Sequence, residues 1–165
     1  MRNDGRDDDD DFDPGGEDTN HGWVDLHALL PGLRGNIVHT LNSAEEQRLC
    51  SRLAAVGYRV RVLEGARIGD DEAFFAQACP ALDLPPHFGD NWDAFNDSLW
   101  NLNGSWAVVW RDADQSLALD AQTVFSAMLG LADAALEPAR DPGEPMLKLV
   151  LFLLGSGPGY GRLTG

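Results

Sequence analysis

Residues 84–102 read Leu84-Pro85-Pro86-His87-Phe88-Gly89-Asp90-Asn91-Trp92-Asp93-Ala94-Phe95-Asn96-Asp97-Ser98-Leu99-Trp100-Asn101-Leu102, a loop feeding a helix. Pro85 and Pro86 hold the approach extended and disfavour helix before them, and Gly89 permits a sharp turn into the helix. Asp90 takes the predicted N-cap. Asp93, three residues on, meets the free N–H groups and the positive dipole end of the first turn. Trp92, Phe95, Leu99 and Leu102 recur at helical spacing and make one apolar stripe. Asp93 and Asp97, four apart, share another face, with Asn96 and Trp100 beside them. Two like charges one turn apart cost roughly 0.2–0.5 kcal/mol in an isolated helix. A face that keeps both is expected to serve something outside the helix.

On either side of this segment the pattern alternates between strands and helices. Residues 36–41 alternate as a strand. Ser43 is expected to cap the next helix, with Glu46 completing a Ser-x-x-Glu box and Leu49, Leu53 and Val56 on its apolar side. Gly57 ends that helix, where a left-handed residue is wanted. Residues 58–63 alternate again as a strand with one polar face. After a turn at 65–69, Asp70 starts a helix through Phe74, Phe75 and Cys79 as far as Pro80. Residues 105–110 are almost continuously apolar, as suits a central strand buried on both faces. A helix over 117–137 comes next, with Val124, Phe125, Met128, Leu131 and Leu136 apolar, then a last strand over 147–154. Four strands alternating with helices predict an α/β fold on a parallel sheet, three-layered in part.

The chain has 165 residues, 44% of them hydrophobic, which is one domain's worth and enough for a sizeable core. Its net charge is −15. Such a protein does not bind nucleic acid by counterion release, which needs Lys and Arg against phosphate. It suits a basic partner, or solubility alone. Residues 1–22 hold nine acids, Asp7 to Asp11 among them, against Arg2 and Arg6. With so few apolar side chains they read as a disordered acidic tail. The rest keeps 18 acids against 10 bases, so residues 23–165 are acidic in their own right.

The expected layout is the tail at 1–22, an α/β domain over 23–155 and a flexible Gly-rich end at 156–165. Within the domain, residues 23–31 form a short docking turn. Cys50 and Cys79 sit in apolar helical contexts, and the opening residues lack an apolar leader core, so a cytoplasmic protein with reduced thiols is expected. The longest apolar run, 146–154, contains Lys148 and is too short for a membrane span. The glycines after residue 154 lack the following helix that a phosphate cradle requires. No cofactor and no metal site is expected.

The run 84–94, followed by Asp97, resembles the signature of the barstar family, intracellular inhibitors of a secreted bacterial ribonuclease. In that family a Pro-x-aromatic-aromatic-Gly-acid-Asn-x-Asp-Ala segment opens the inhibitory helix, and a second Asp follows four residues after the first. The likeness runs more loosely over 58–155. It implies a barstar-like core of three parallel strands, to which the strand and helix at 36–57 are an addition. It also implies a cytoplasmic, monomeric inhibitor of a small basic ribonuclease, secreted or toxin-type. Carried over by position, Asp97 is the principal anchor, Asp93 the second, and Asp133 the counterpart of a further helix acid. His87, Phe88, Gly89, Asp90, Asn96 and Trp100 complete the expected contact set. His87 replaces an aromatic of the family pattern, and Asn96 stands where the family has a tryptophan.

Two other function classes stay open on residues alone. An acidic interaction module or nucleic-acid mimic fits the charge, although a mimic spreads its carboxylates and this segment concentrates them in one helix. A carboxylate-dependent enzyme needs a cleft, a second facing element and a carboxyl of raised pKa. Neighbouring positions on one exposed helix face supply none of these. No catalytic residue is assigned.

Overall fold

A computed structural model describes residues 25–33, 37–85, 91–136 and 147–164. In chain order the elements are α1 (Leu26–Leu29), β1 (Val38–Asn42), α2 (Glu46–Ala55), β2 (Arg59–Glu64), α3 (Asp71–Ala81), α4 (Trp92–Leu99), β3 (Gly104–Arg111), α5 (Ala113–Leu136) and β4 (Leu147–Gly155). The four strands form one parallel sheet in the order β1-β4-β3-β2. The parallel α/β expectation holds, with the four strands read from the sequence, β1 being the one added to the three of the family core. β1 lies at one edge, beside β4, with Leu41 opposite Leu154.

The two central strands are apolar on both faces because both faces are covered. Trp106, Val108 and Trp110 of β3 and Leu149, Leu151 and Leu153 of β4 pack with Phe74 and Phe75 of α3, Phe95 and Leu99 of α4, and Val124, Ala127 and Leu131 of α5. Ala107, Val109, Val150, Phe152 and Leu154 point the other way, toward Leu30, Leu33, Leu49, Leu53 and Leu163. The molecule is therefore three-layered. α3, α4 and α5 line one side of the sheet, with α2 and the segment after α1 on the other.

Several local details differ from the sequence pattern. The residue that caps before α2 is Asn42, whose side chain accepts from Ala44 N and opens a single 3-10 turn over Ser43–Glu45. Ser43 is inside that turn, so the expected box does not form. Gly57 does end the α2 region, at φ 92. α5 begins at Ala113, four residues earlier than expected. It breaks at Asp120, where the backbone leaves the helical region and the carboxylate accepts from Gln122 N and Thr123 N to cap the remainder. Pro80 falls in the last turn of α3 and does not stop it there.

Arg111, at the end of β3, donates to Glu46 of α2 at 2.7 Å and to Glu64 of β2 at 2.5 Å. Hydrogen bonding to Glu46, ahead of the Glu64 contact, drives its pKa upward. This half-exposed clamp ties the added strand-helix unit to the rest of the sheet.

Composition suggests a loose C-terminal end, but residues 156–164 run along the outer edge of β1. Gly161 exchanges backbone bonds with Thr40 and Asn42, Thr40 Oγ1 donates to Gly159 O, and Leu163 is buried. Leu163, buried with the cluster on the α2 side of the sheet, anchors it there. The acidic tail falls outside the described residues.

Candidate functional site

α4 is eight residues long, and its orientation is set by the side chains it buries. Phe95 and Leu99 are fully buried, and Trp92 packs on Phe74 and Phe75 at ring distances of 5.3 and 4.7 Å. With that stripe against the sheet, Asp93 and Asp97 face solvent one turn apart, and both are exposed. Neither carboxylate forms an ion pair among the described residues. Trp100 closes the helix and is 44% exposed, unusual for so large a ring.

The cap is one residue later than expected. Asn91 is the N-cap, in extended backbone geometry, and its side chain accepts from Ala94 N at 2.8 Å. Asn serves there as well as Asp. Asp93 then sits in the first turn, favoured by the helix dipole yet free to point outward.

Asn96 is oriented differently from the acids. It is half-buried in the seam between α4 and α5, where a Cβ on Gly130 would lie 2.3 Å from its Oδ1. Gly130 is the notch that admits it. Among the described residues its Oδ1 is buried with no hydrogen-bond partner. The side chain where the family carries a tryptophan is thus tucked inward. Asp133, exposed on α5, is three residues beyond that notch and so one turn along the same seam. The structure thus brings together Asp93, Asn96, Asp97 and Trp100 on α4, with Asp133 on the helix packed beside it. His87, Phe88, Gly89 and Asp90 lie outside the described residues.

The chain matches the family described as barstar, the barnase inhibitor, over residues 58–150. That span takes in β2 through the first part of β4, with the whole of α4 and α5. The chain belongs to the barstar family. Among curated proteins none matches. The family match begins at Tyr58, so β1 and α2 lie outside the matched span.

A barstar-family chain is one of an inhibitor family, whose chemistry is binding and not turnover. Among the described residues no group of three or more His, Cys, Asp or Glu is placed to hold a metal ion. No helix among them is long and apolar enough to cross a membrane. Cys50 and Cys79 are both half-buried. Burial first, and the nearby Glu46 second, push the Cys50 thiol up, against the pull of Arg111. That disfavours the reactive thiolate.

Two features are hidden from a reading of the sequence. The Arg111 clamp joins positions 47 and 65 residues apart, a distance no local pattern reports. The exposed apolar side chains of α5 carry the same signal as core residues. The available clue is their number, because Val124, Phe125, Met128, Leu131 and Leu136 span more of the helix than one buried face.

Proposed function

We propose that this protein is an intracellular inhibitor, an immunity protein, of a small basic ribonuclease, and that α4 fills the enzyme's active site. The observation that carries this is the pair Asp93 and Asp97, exposed and without ion-pair partners among the described residues, inside the family-matched segment. A ribonuclease cleft is lined with cationic groups that hold phosphate. Carboxylates on a rigid helix can take the phosphates' places through charge-assisted hydrogen bonds. Asp97 is the principal anchor and Asp93 the second. Asp133 adds a carboxylate from α5, and Trp100 offers an aromatic surface in place of the one missing at position 96. His87, Phe88, Gly89 and Asp90 form the approach to the helix.

Complementary charge also steers encounter and makes association salt-sensitive. The best-measured instance is the barnase–barstar pair itself, so that expectation comes from the family rather than from this chain. The test is inhibition of barnase and of other small basic ribonucleases by the purified chain, with Asp97→Ala alongside, at low and moderate salt. Stoichiometric inhibition that salt weakens and Asp97→Ala sharply weakens is the expected result. Absence of inhibition across the set sinks the reading.

One observation favours a different basic partner. Asn96 lies in the α4–α5 seam, so the aromatic anchor of the family is absent from the face. On that reading the acids bind another cationic protein, and pull-down with Asp97→Ala as control separates the two.

A further inference from the structure

α5 carries a surface that the inhibitor reading does not use. Its core side is filled by Val124, Ala127 and Leu131, all at 1% exposure or less. Phe125, Leu129 and Leu136 are 55, 67 and 69% exposed. At about 100° per residue these three fall within a narrow sector opposite the core, with Ala132 between them. They form one ridge roughly 16 Å long. Isolated exposed leucines are ordinary, but three large apolar side chains on one outward line are not.

The charge around the ridge limits what can cover it. Residues 121–132 contain no Asp, Glu, Lys or Arg, in a chain of net charge −15. A cationic enzyme or a nucleic acid gains nothing electrostatic from such a stretch. Two copies of this chain repel over most of their surface and can approach most cheaply where carboxylates are missing. A two-fold axis across α5 sets the ridge against itself, apolar on apolar, with no second surface required, and two-fold dimers are the commonest closed assembly. Asp133 lies to one flank of the ridge and not on its crest.

We propose that the outward ridge of α5, Phe125, Leu129 and Leu136, is a self-association surface through which two copies pair by antiparallel packing of α5. This departs from the monomer expected from the sequence. The ridge is narrow against the ~1,000 Å² total that a specific interface needs, so the dimer is weak and concentration-dependent. Because salt screens repulsion between two acidic copies, dimerisation strengthens as salt rises. Binding to a basic ribonuclease through α4 moves in the opposite direction.

Sedimentation equilibrium of the full 165-residue chain from micromolar to millimolar concentration tests this. It is run in salts that take the screening length from about 10 Å to about 3 Å. The expected result is a dimer population that grows with concentration and with salt. Leu129→Glu and, separately, Phe125→Glu raise the dissociation constant at least ~10-fold, with the circular dichroism of the parent. Both positions are exposed, so neither change disturbs the core. A parent that stays monomeric at millimolar concentration in both salts overturns the proposal, as does a dimer indifferent to both substitutions. A monomer whose ribonuclease inhibition is lost in Leu129→Glu also overturns it, by assigning the ridge to the enzyme's footprint.

Discussion

α4 and α5 lie side by side on one face of the same sheet, yet they show solvent opposite chemistries. α4 is eight residues long and turns Asp93 and Asp97 outward. α5 has 24 residues and turns outward a ridge of Phe125, Leu129 and Leu136, with no charge from 121 to 132. Each helix turns its buried residues toward the sheet, Phe95 and Leu99 on α4 and Val124, Ala127 and Leu131 among those on α5, so the fold accounts for the inner faces and leaves the outer ones free. Exposed carboxylates keep their hydration until a partner offers cations. Exposed apolar side chains stay in unfavourable contact with water until something covers them. The first kind of surface selects partners by charge and distance, and the second by shape and area.

The contrast inside one layer is sharpest for phenylalanine. Phe74 is fully buried, stacks with Trp92 and Trp110 at ring distances of 5.3 and 5.4 Å, and meets Phe95 edge-on at 5.3 Å. Phe74→Ala is expected to lower stability by about 3–5 kcal/mol, the lost transfer energy plus the cavity it leaves. Phe125→Ala, on the outer face of α5, should stay within about 0.5 kcal/mol. Urea unfolding of both variants at a concentration where the chain is monomeric measures the difference. Equal losses would mean that Phe125 belongs to the core after all.

On the α4 side the large effect is in binding. Asp97→Ala should weaken ribonuclease affinity by about 2–5 kcal/mol, the usual cost of truncating one partner of a buried, hydrogen-bonded charge pair, and should flatten the salt dependence. Its stability should stay near that of the parent, because the carboxylate is exposed and unpaired among the described residues. Titration by calorimetry at two salt concentrations, with thermal melts alongside, separates these effects. A comparable loss of both affinity and stability would assign Asp97 a structural role and break the contrast with α5.

The sheet is readable from sequence because alternation and continuous apolar runs are local signals. Residues 58–63 and 105–110 show them plainly, and both are strands. The stripe Trp92, Phe95, Leu99 is readable for the same reason, and it sets the acids of α4 outward. The unreadable features depend on distance or on competition between neighbours. Asp90 and Asn91 are equally good caps by residue type, so spacing alone does not choose between them. Phe125 and Leu136 carry the same apolar signal as Val124 and Leu131, and only the packing of α5 on the sheet separates inside from outside. The 156–164 segment reads as loose by its glycines, but the backbone bonds of Gly161 to β1 and the burial of Leu163, neither of them a local signal, hold it in place.

The caps carry the comparison to a smaller scale. Asn91 caps α4, and Asp120 caps the longer part of α5. Asn91→Ala should cost about 1 kcal/mol, the usual value of a lost N-cap. In a helix of only two turns that loss frays the segment that positions Asp93. Ribonuclease affinity should therefore fall along with the melting temperature, whereas Asp97→Ala lowers affinity alone. Retained affinity with reduced stability would show that Asp93 contributes little to the interface.

The smallest expected effect separates the two sides of the sheet by pH. Tyr58 packs against the cluster that faces α2, away from α4 and α5, and burial pushes its phenol above the ordinary 10.0. The folded state thus favours the neutral phenol, and the unfolded chain ionises first. Its contribution is fully present below about pH 10 and is lost as pH rises through the raised folded value. Urea midpoints should accordingly hold up to that pH and then decline, and Tyr58→Phe should decline less steeply. If instead the parent and Tyr58→Phe lose stability in parallel, alkaline weakening originates elsewhere. The side of the sheet opposite α4 and α5 would then not be where the fold first yields to base.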